Sequence, residues 1–92
     1  MFEYRLIYQW DAEHWTCITS SELPTDIHQY AKKHLEEMQE AAEDAEAAGI
    51  AECYALEYYY DGTLAHKWVG NPDDILEVIT KITNEWLERA FK

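Results

Sequence analysis

The sequence predicts an α+β fold, a ββαββα two-layer sandwich in which a four-stranded antiparallel sheet carries two helices packed on one face. Four segments alternate apolar and polar residues, as half-buried strands do. Two further segments place apolar residues at helical spacing, and turn residues separate all six. Because the chain has 92 residues, we expect a single domain over 1–92 with one hydrophobic core.

The first predicted hairpin joins residues 2–10 to residues 15–20 through a four-residue loop. One side of the first strand is mostly aromatic, so burial of that side should select the register. A register that keeps the aromatic residues together predicts these pairs: Tyr8 with Cys17 and Ile7 with Ile18.

The second predicted hairpin joins residues 51–60 to residues 63–69 around Asp61-Gly62. A two-residue turn at this dipeptide would divide the bulky residues between the two faces. We therefore predict a three-residue loop over 60–62 with Gly62 in the left-handed conformation. The pairs predicted by this loop are Tyr58 with Leu64, Leu56 with His66, and Tyr54 with Trp68.

Two helices are predicted, over residues 26–48 and 72–91. The first would be capped by Thr25 or Asp26 and would end at Gly49. The second begins with Asn71 as a cap and Pro72 at its first position. The inward stripe of the first helix is predicted to be Ile27, Ala31, Leu35, Met38, Ala42 and Ala45.

The alternation also assigns strand residues to the two faces of the sheet. The face under the helices is predicted to hold Tyr4, Leu6, Tyr8, Trp15, Tyr54, Leu56, Tyr58 and Trp68. The open face is predicted to hold Glu3, Arg5, Ile7, Gln9, Thr16, Ile18, Ala55, Glu57, Tyr59, Ala65 and Lys67. Cys17 would face the helices and Cys53 would lie outward or at a strand end, so two free thiols are expected.

The net charge is the outstanding feature of the composition. Nineteen acids face seven bases, for a formal charge of −12, whereas about 2–8 in magnitude suffices for the solubility of a small domain. This charge excludes direct nucleic-acid binding, which needs a basic patch, and disfavours anionic membrane surfaces. No apolar stretch is long enough to span a membrane, and no signal-peptide pattern is present, so a cytoplasmic location is expected.

The acids are concentrated in HLEEMQEAAEDAEAAG, residues 34–49, which holds six carboxylates and neither Lys nor Arg. Like charges three and four residues apart on a helix repel, so an ordinary surface helix would interleave bases. Two interpretations stay open: a solvated helix face, or a row of carboxylates that docks on a basic protein surface. The predicted partner-binding residues are Glu36, Glu37, Glu40, Glu43, Asp44 and Glu46, with Tyr59 and Tyr60 as exposed aromatic contacts.

Nothing in the sequence predicts catalysis. The three glycines lie at predicted turns and helix ends, which leaves no glycine-rich loop to bind a phosphate. The four histidines and two cysteines show no metal-ligand spacing and no nucleophile–base motif. We therefore predict a protein that is not an enzyme and that uses no cofactor and no metal.

Residues 4–24, YRLIYQWDAEHWTCITSSELP, resemble the opening hairpin of HicB-type antitoxins, although the glycine and cysteine that often follow the Leu-Pro step are absent. The resemblance implies an acidic partner of a small basic toxin. In size and charge the chain is also similar to acidic phage or mobile-element proteins that mimic DNA and block restriction or CRISPR enzymes. The predicted function is an inhibitor of a basic protein, such as a nucleic-acid-binding enzyme. The alternatives are an antitoxin or immunity-type partner, and a homodimer or other homo-oligomeric module formed through the Ile7/Ile18 sheet face.

Overall fold

A computed structural model describes residues 1–91 and has the element order ββααββα. The strands are β1 (Phe2–Gln9), β2 (Trp15–Ser21), β3 (Tyr54–Tyr60) and β4 (Thr63–Gly70). The helices are α1 (Pro24–Lys33), α2 (Leu35–Ala47) and α3 (Pro72–Ala90). The predicted α+β class and the four-stranded antiparallel sheet are confirmed, and the difference is that the first predicted helix is two helices.

The sheet has the strand order β2-β1-β3-β4, with every neighbouring pair antiparallel. Helix α1 contacts β1, β2 and α3, and α3 contacts β3 and β4, so both helices lie on the same side of the sheet. Between the layers is the core, in which the side chains of Leu6, Leu56, Ile27, Ile75 and Ile79 are almost fully buried. Each such side chain contributes about 1.5–3 kcal/mol of burial free energy.

The first predicted helix is divided at His34. This residue has φ −107° and ψ 16°, outside the helical region, and it ends α1 and begins α2. Its N–H still donates to the Tyr30 carbonyl at 3.0 Å, and its own carbonyl accepts from the Met38 N–H at 2.9 Å. The chain therefore changes direction without a loop. The periodic apolar pattern runs through His34 unchanged, which is why the sequence predicts one helix here.

The helix ends follow the sequence closely, apart from the first. Gly49 has φ +93° and its N–H donates to the Glu46 carbonyl, while the Ile50 N–H donates to the Ala45 carbonyl, so α2 ends in the predicted left-handed cap. Asn71 caps α3 by accepting from the Asp74 N–H at 3.0 Å. The first helix begins two residues earlier than predicted, at Pro24, and no side chain caps it.

The predicted β1–β2 register holds at only one end of the hairpin. Leu6 lies opposite Thr19, as the predicted offset requires, but the register shifts between Leu6 and Ile7. Ile7 then pairs with Cys17, and Ile18 becomes the extra residue of a β-bulge. The predicted pairs that this shift makes wrong are Ile7 with Ile18 and Tyr8 with Cys17.

The shift moves two β2 side chains onto the open face. Trp15 pairs with Gln9, and Cys17 pairs with Ile7, so Trp15 and Cys17 point away from the helices. The prediction that both face the helices is wrong. Trp15 is 65% exposed, and it is the largest exposed side chain on the open face.

The same shift moves two side chains the other way. Thr16 pairs with Tyr8 on the helix side, and the bulge residue Ile18 is partly buried against the core. The predictions that placed Thr16 and Ile18 on the open face are therefore wrong. The predicted Ile7/Ile18 face is therefore not one surface, because only Ile7 lies on the open side of the sheet.

The second hairpin has a two-residue turn, so the predicted three-residue loop is wrong. Asp61 and Gly62 both have positive φ, 49° and 81°, and Tyr60 pairs directly with Thr63. The register shifts between Tyr58 and Tyr59 and leaves Ala65 as a bulge, so His66 and Trp68 stay on the helix side, whereas Leu64 pairs with Tyr59 on the open face. The observed pairs that replace the predicted ones are Tyr58 with His66, Leu56 with Trp68, and Tyr54 with Gly70.

Candidate partner-binding surfaces

Helix α2 presents its carboxylates to solvent along its whole length. Met38 and Ala45 are buried, which fixes the inward side of the helix. At 100° per residue, Glu36, Glu40 and Glu43 point to the opposite side, about 4.5–6 Å apart along the axis. All six predicted acids of this segment are exposed, and we call them the acidic ladder: Glu36, Glu37, Glu40, Glu43, Asp44 and Glu46.

The acidic ladder has almost no internal neutralisation. Among residues 1–91 one ladder carboxylate has a side-chain nitrogen partner within hydrogen-bond distance: Glu37 Oε2 lies 3.0 Å from Nδ1 of His34. Lys32 and Lys33 lie one turn away on α1, yet neither forms an ion pair within 4.0 Å in the described part of the chain. The thirteen residues of α2 carry six acids and no base, so half of the formal −12 charge lies on one helix.

Specific contacts hold α2 on the body of the domain. The Tyr8 hydroxyl donates to the Ala41 carbonyl at 2.9 Å, which ties the middle of the helix to β1. Gln39 Nε2 donates to Asp73 Oδ1 at 3.1 Å, which ties it to the first turn of α3. These two hydrogen bonds hold the helix that carries the ladder against β1 and α3.

The Gln39–Asp73 hydrogen bond adds residues that the sequence does not assign to the site. Asp73 and Glu77 lie one turn apart on α3 and are both exposed, so the acidic surface continues from α2 onto α3. In the sequence, Asp73 is explained by the positive end of the α3 dipole. Thirty-four residues separate Gln39 from Asp73, and no local pattern connects them.

The two predicted aromatic contacts do not join the ladder. Tyr59 and Tyr60 lie at the far end of β3 from Tyr54, and Tyr54 pairs with Tyr8, the residue that contacts α2. At a rise of about 3.3 Å per residue, this separation is roughly 20 Å. Tyr59 is on the open face of the sheet, and Tyr60 is on the helix side, 51% exposed beside Phe2.

The open face of the sheet is organised in the opposite way to the ladder. Arg5 Nε donates a hydrogen bond to Glu3 Oε2, and Arg5 Nη2 lies 2.8 Å from the same oxygen. The Arg5 guanidinium also stacks over the Tyr59 ring, 4.2 Å from the ring centre. The Tyr59 hydroxyl donates to Glu57 Oε1 at 3.1 Å, and Lys67 Nζ lies 3.7 Å from Glu57 Oε2. The four charged side chains on these strands therefore neutralise one another.

The contacts of this network raise the pKa values of Arg5 and Tyr59. The hydrogen bond to Glu3 raises the pKa of Arg5. Burial, followed by the hydrogen bond with Glu57, raises the pKa of Tyr59. Arg5 stays charged and Tyr59 stays neutral at physiological pH, as the ion pair and the donated hydrogen bond require.

The middle of the open face, beside the charged pairs, is apolar. Ile7, Ala55 and Val69 lie side by side across three strands and form the floor of a groove of about 290 Å³ beside Trp15. Glu52 borders the groove at the start of β3. We use the name neutral face for the open side of the sheet, defined by Glu3, Arg5, Ile7, Trp15, Ala55, Glu57, Tyr59, Lys67 and Val69.

Neither cysteine is set up as a nucleophile. Cys17 is exposed on the neutral face and Cys53 is buried beside β3, and both are free. Burial raises the pKa of each thiol, so both are protonated near neutral pH. Within residues 1–91, no group of three or more His, Cys, Asp or Glu side chains is arranged to hold a metal ion.

The fold and these surfaces define a small α+β protein with one acidic and one neutral surface. A scan against protein-family models and searches of curated proteins and of solved structures each found no match. None of the three helices combines the length and the apolar character needed to cross a membrane, over residues 1–91.

Proposed function

We propose that this chain is a small cytoplasmic binding protein that inhibits a basic protein by docking the acidic ladder on its nucleic-acid-binding surface. The observation that supports the proposal most is the helix α2, with six exposed carboxylates and no base. Solubility alone requires a net charge, but it does not require that bases be absent from one helix.

The geometry supports a nucleic-acid site as the target. Glu36, Glu40 and Glu43 form a line of negative charges about 4.5–6 Å apart, and Asp73 and Glu77 extend it onto a second helix. A groove that binds a nucleic-acid backbone carries Lys and Arg at repeated positions to neutralise phosphates. Carboxylates that already lie on a folded helix can occupy those cations without ordering an unfolded segment first, which lowers the entropic cost of binding.

The proposed partner class is the restriction or CRISPR-type nuclease, so the inhibitor acts as a DNA mimic of the kind used by phage and mobile elements. A basic toxin bound by an antitoxin or immunity protein would use the same charge complementarity. In both cases association should be fast at low salt and should weaken as salt screens the charges.

The test is displacement of a fluorescent DNA duplex from a panel of restriction and CRISPR nucleases by the purified chain. We expect displacement from at least one nuclease, and at least a tenfold loss in the Glu36→Gln/Glu40→Gln/Glu43→Gln variant, because several charge pairs are lost together. An increase in salt should weaken displacement by the unmodified chain.

The matched control is Glu13→Gln/Glu22→Gln/Glu88→Gln, which removes the same charge from exposed positions outside α2. We expect this control to displace DNA nearly as well as the unmodified chain. Equal losses in the two triple variants would show that net charge acts alone. The absence of displacement from every nuclease, together with no binding to basic toxins, would contradict the proposal.

A further inference from the structure

We infer that the neutral face binds the neutral face of a second copy of this chain, so that two sheets pack together in a symmetric homodimer. The inference does not depend on the proposed function. It commits to one occupant for the open side of the sheet, and three properties of that side support a second copy: its charge, its symmetry and its area.

Charge restricts which surfaces of two copies can meet. Each chain carries −12, so most surfaces of one copy repel those of another. On the strands of the neutral face, Arg5 pairs with Glu3 and Lys67 pairs with Glu57, so this face carries no net charge. Apolar and aromatic side chains are also exposed on this face, with Trp15 at 65% and Val69 at 49%.

The central pair of charges gives the face the symmetry that a dimer needs. Strands β1 and β3 are the two middle strands, and Arg5 lies directly opposite Glu57 across the line between them. A two-fold axis parallel to that line and midway between the two sheets brings β1 of one copy over β3 of the other. Arg5 then faces Glu57 of the partner subunit, and Glu57 faces Arg5 of the partner subunit, as a two-fold interface requires.

The apolar residues obey the same symmetry. Ile7 lies directly opposite Ala55 across the midline, so the half-turn places a large side chain over a small one on both sides of the axis. On the outer strands, Val69 in β4 and Cys17 in β2 lie at the same level as Ile7 and Ala55 and at equal distances from the midline. The half-turn therefore places Val69 over Cys17 of the partner subunit. Large and small side chains therefore alternate across the interface, as in packed sheets.

The area fits a dimer of modest affinity. Four strands spaced about 4.8 Å apart, with eight residues rising about 3.3 Å each, cover roughly 500 Å² per copy. Two copies bury roughly 1,000 Å², which is at the lower limit of specific interfaces. Trp15, Tyr59 and Arg5 are residue types that carry much of the binding energy in such interfaces.

The edges of the sheet favour face packing over strand pairing. Both edge strands carry a bulge, at Ile18 in β2 and at Ala65 in β4, and β4 also carries Lys67. Bulges and lysines on edge strands hinder the addition of a further strand. On the open side of the sheet, Lys67 is paired with Glu57, so its charge does not oppose face packing.

The test is sedimentation analysis of the full chain over a concentration series at low and high salt. We expect a monomer–dimer equilibrium that salt strengthens, because salt screens the repulsion between two copies of −12. Val69→Lys should raise the dimer dissociation constant at least about tenfold. The control Phe91→Lys introduces the same residue at a site that is 85% exposed and outside the neutral face, and should leave the dissociation constant unchanged.

A charge exchange tests the two-fold arrangement itself. Arg5→Glu alone and Glu57→Arg alone should each abolish the dimer, since like charges then face each other. An equimolar mixture of the two variants should form a heterodimer, because each contact then joins opposite charges again. Circular dichroism and thermal melting establish that each variant is folded.

Three results would overturn the inference: a monomer at every concentration and salt, a dimer that survives Val69→Lys, or two folded charge variants that fail to associate with each other. Glu36→Gln/Glu40→Gln/Glu43→Gln should leave the dimer intact, so failure of the dimer and failure of the proposed inhibition are separate results.

Discussion

The acidic ladder and the neutral face differ in how far their carboxylates are neutralised by nearby bases. On α2, six carboxylates share a single histidine partner, whereas on the sheet Glu3 and Glu57 each have a base within 4.0 Å. The chain has only seven bases, and two of them neutralise the open side of the sheet. The comparison indicates that the charge of α2 is a local property of that helix and that acidity is not spread evenly over the surface.

The largest expected effect comes from the end of α2. Gly49 has φ +93°, which an L side chain adopts at a cost, so Gly49→Ala should lower the free energy of unfolding by about 1–2 kcal/mol. Chemical denaturation measures this loss. Because asparagine tolerates positive φ better, Gly49→Asn should lose less. The folded fraction of each variant should still self-associate through the neutral face. Equal losses of unfolding free energy in Gly49→Ala and Gly49→Asn would contradict this account of the cap.

A smaller loss is expected on the neutral face. Glu57 is 14% exposed, accepts from Tyr59 and pairs with Lys67, so Glu57→Gln should lower the free energy of unfolding by about 0.5–1 kcal/mol. The control Glu88→Gln removes a charge from an exposed position on α3 and should change stability by less than about 0.5 kcal/mol. If Glu57→Gln were stabilising, the claim that this charge is satisfied would be wrong.

The smallest effect has the opposite sign. In Glu36→Gln/Glu40→Gln/Glu43→Gln, the loss of repulsion should raise the free energy of unfolding by a few tenths of a kcal/mol per like-charge pair at low salt. Glutamine has nearly the same helix propensity as glutamate, so the change isolates the charge. The gain should shrink at high salt. A loss of stability, or a gain that salt does not change, would show that the ladder is not repulsive.

Local chemistry explains which parts of the fold could be predicted. Asn71 with Pro72, and Gly49 after an alanine-rich run, mark helix ends because each satisfies a backbone requirement within a few residues. The alternation of apolar and polar residues predicts the strands, because successive side chains of a strand point to opposite faces of the sheet. The acidic ladder was also visible, since six acids on helical spacing need no tertiary information.

The bulges and the bend could not be predicted in this way. To keep the large residues of β3 and β4 on one face, one residue of the hairpin must be left unpaired. The sequence pattern does not show whether that residue lies in the loop or forms a bulge, as Ala65 does. At Ile18 the same ambiguity reversed the face of Trp15 and Thr16. At His34 the apolar stripe continues through the bend, so periodicity carries no sign of it.

The parts of the surfaces that were missed depend on contacts between distant segments. The Arg5–Tyr59–Glu57–Lys67 network exists only because β1 pairs with β3 in one register, and strand order is not encoded in the alternation. Asp73 joins the acidic surface only through Gln39.

The most direct test of the central claim, that the ladder and not the overall charge is the binding surface, is an amide-resolved NMR titration with an oligo-arginine peptide. The account predicts that the amide shifts concentrate on α2 and the first turn of α3, and that they disappear as salt is raised, while the amides of Ile7 and Ala55 stay unchanged. Shifts spread evenly over Glu13, Glu22, Glu88 and the ladder would contradict it.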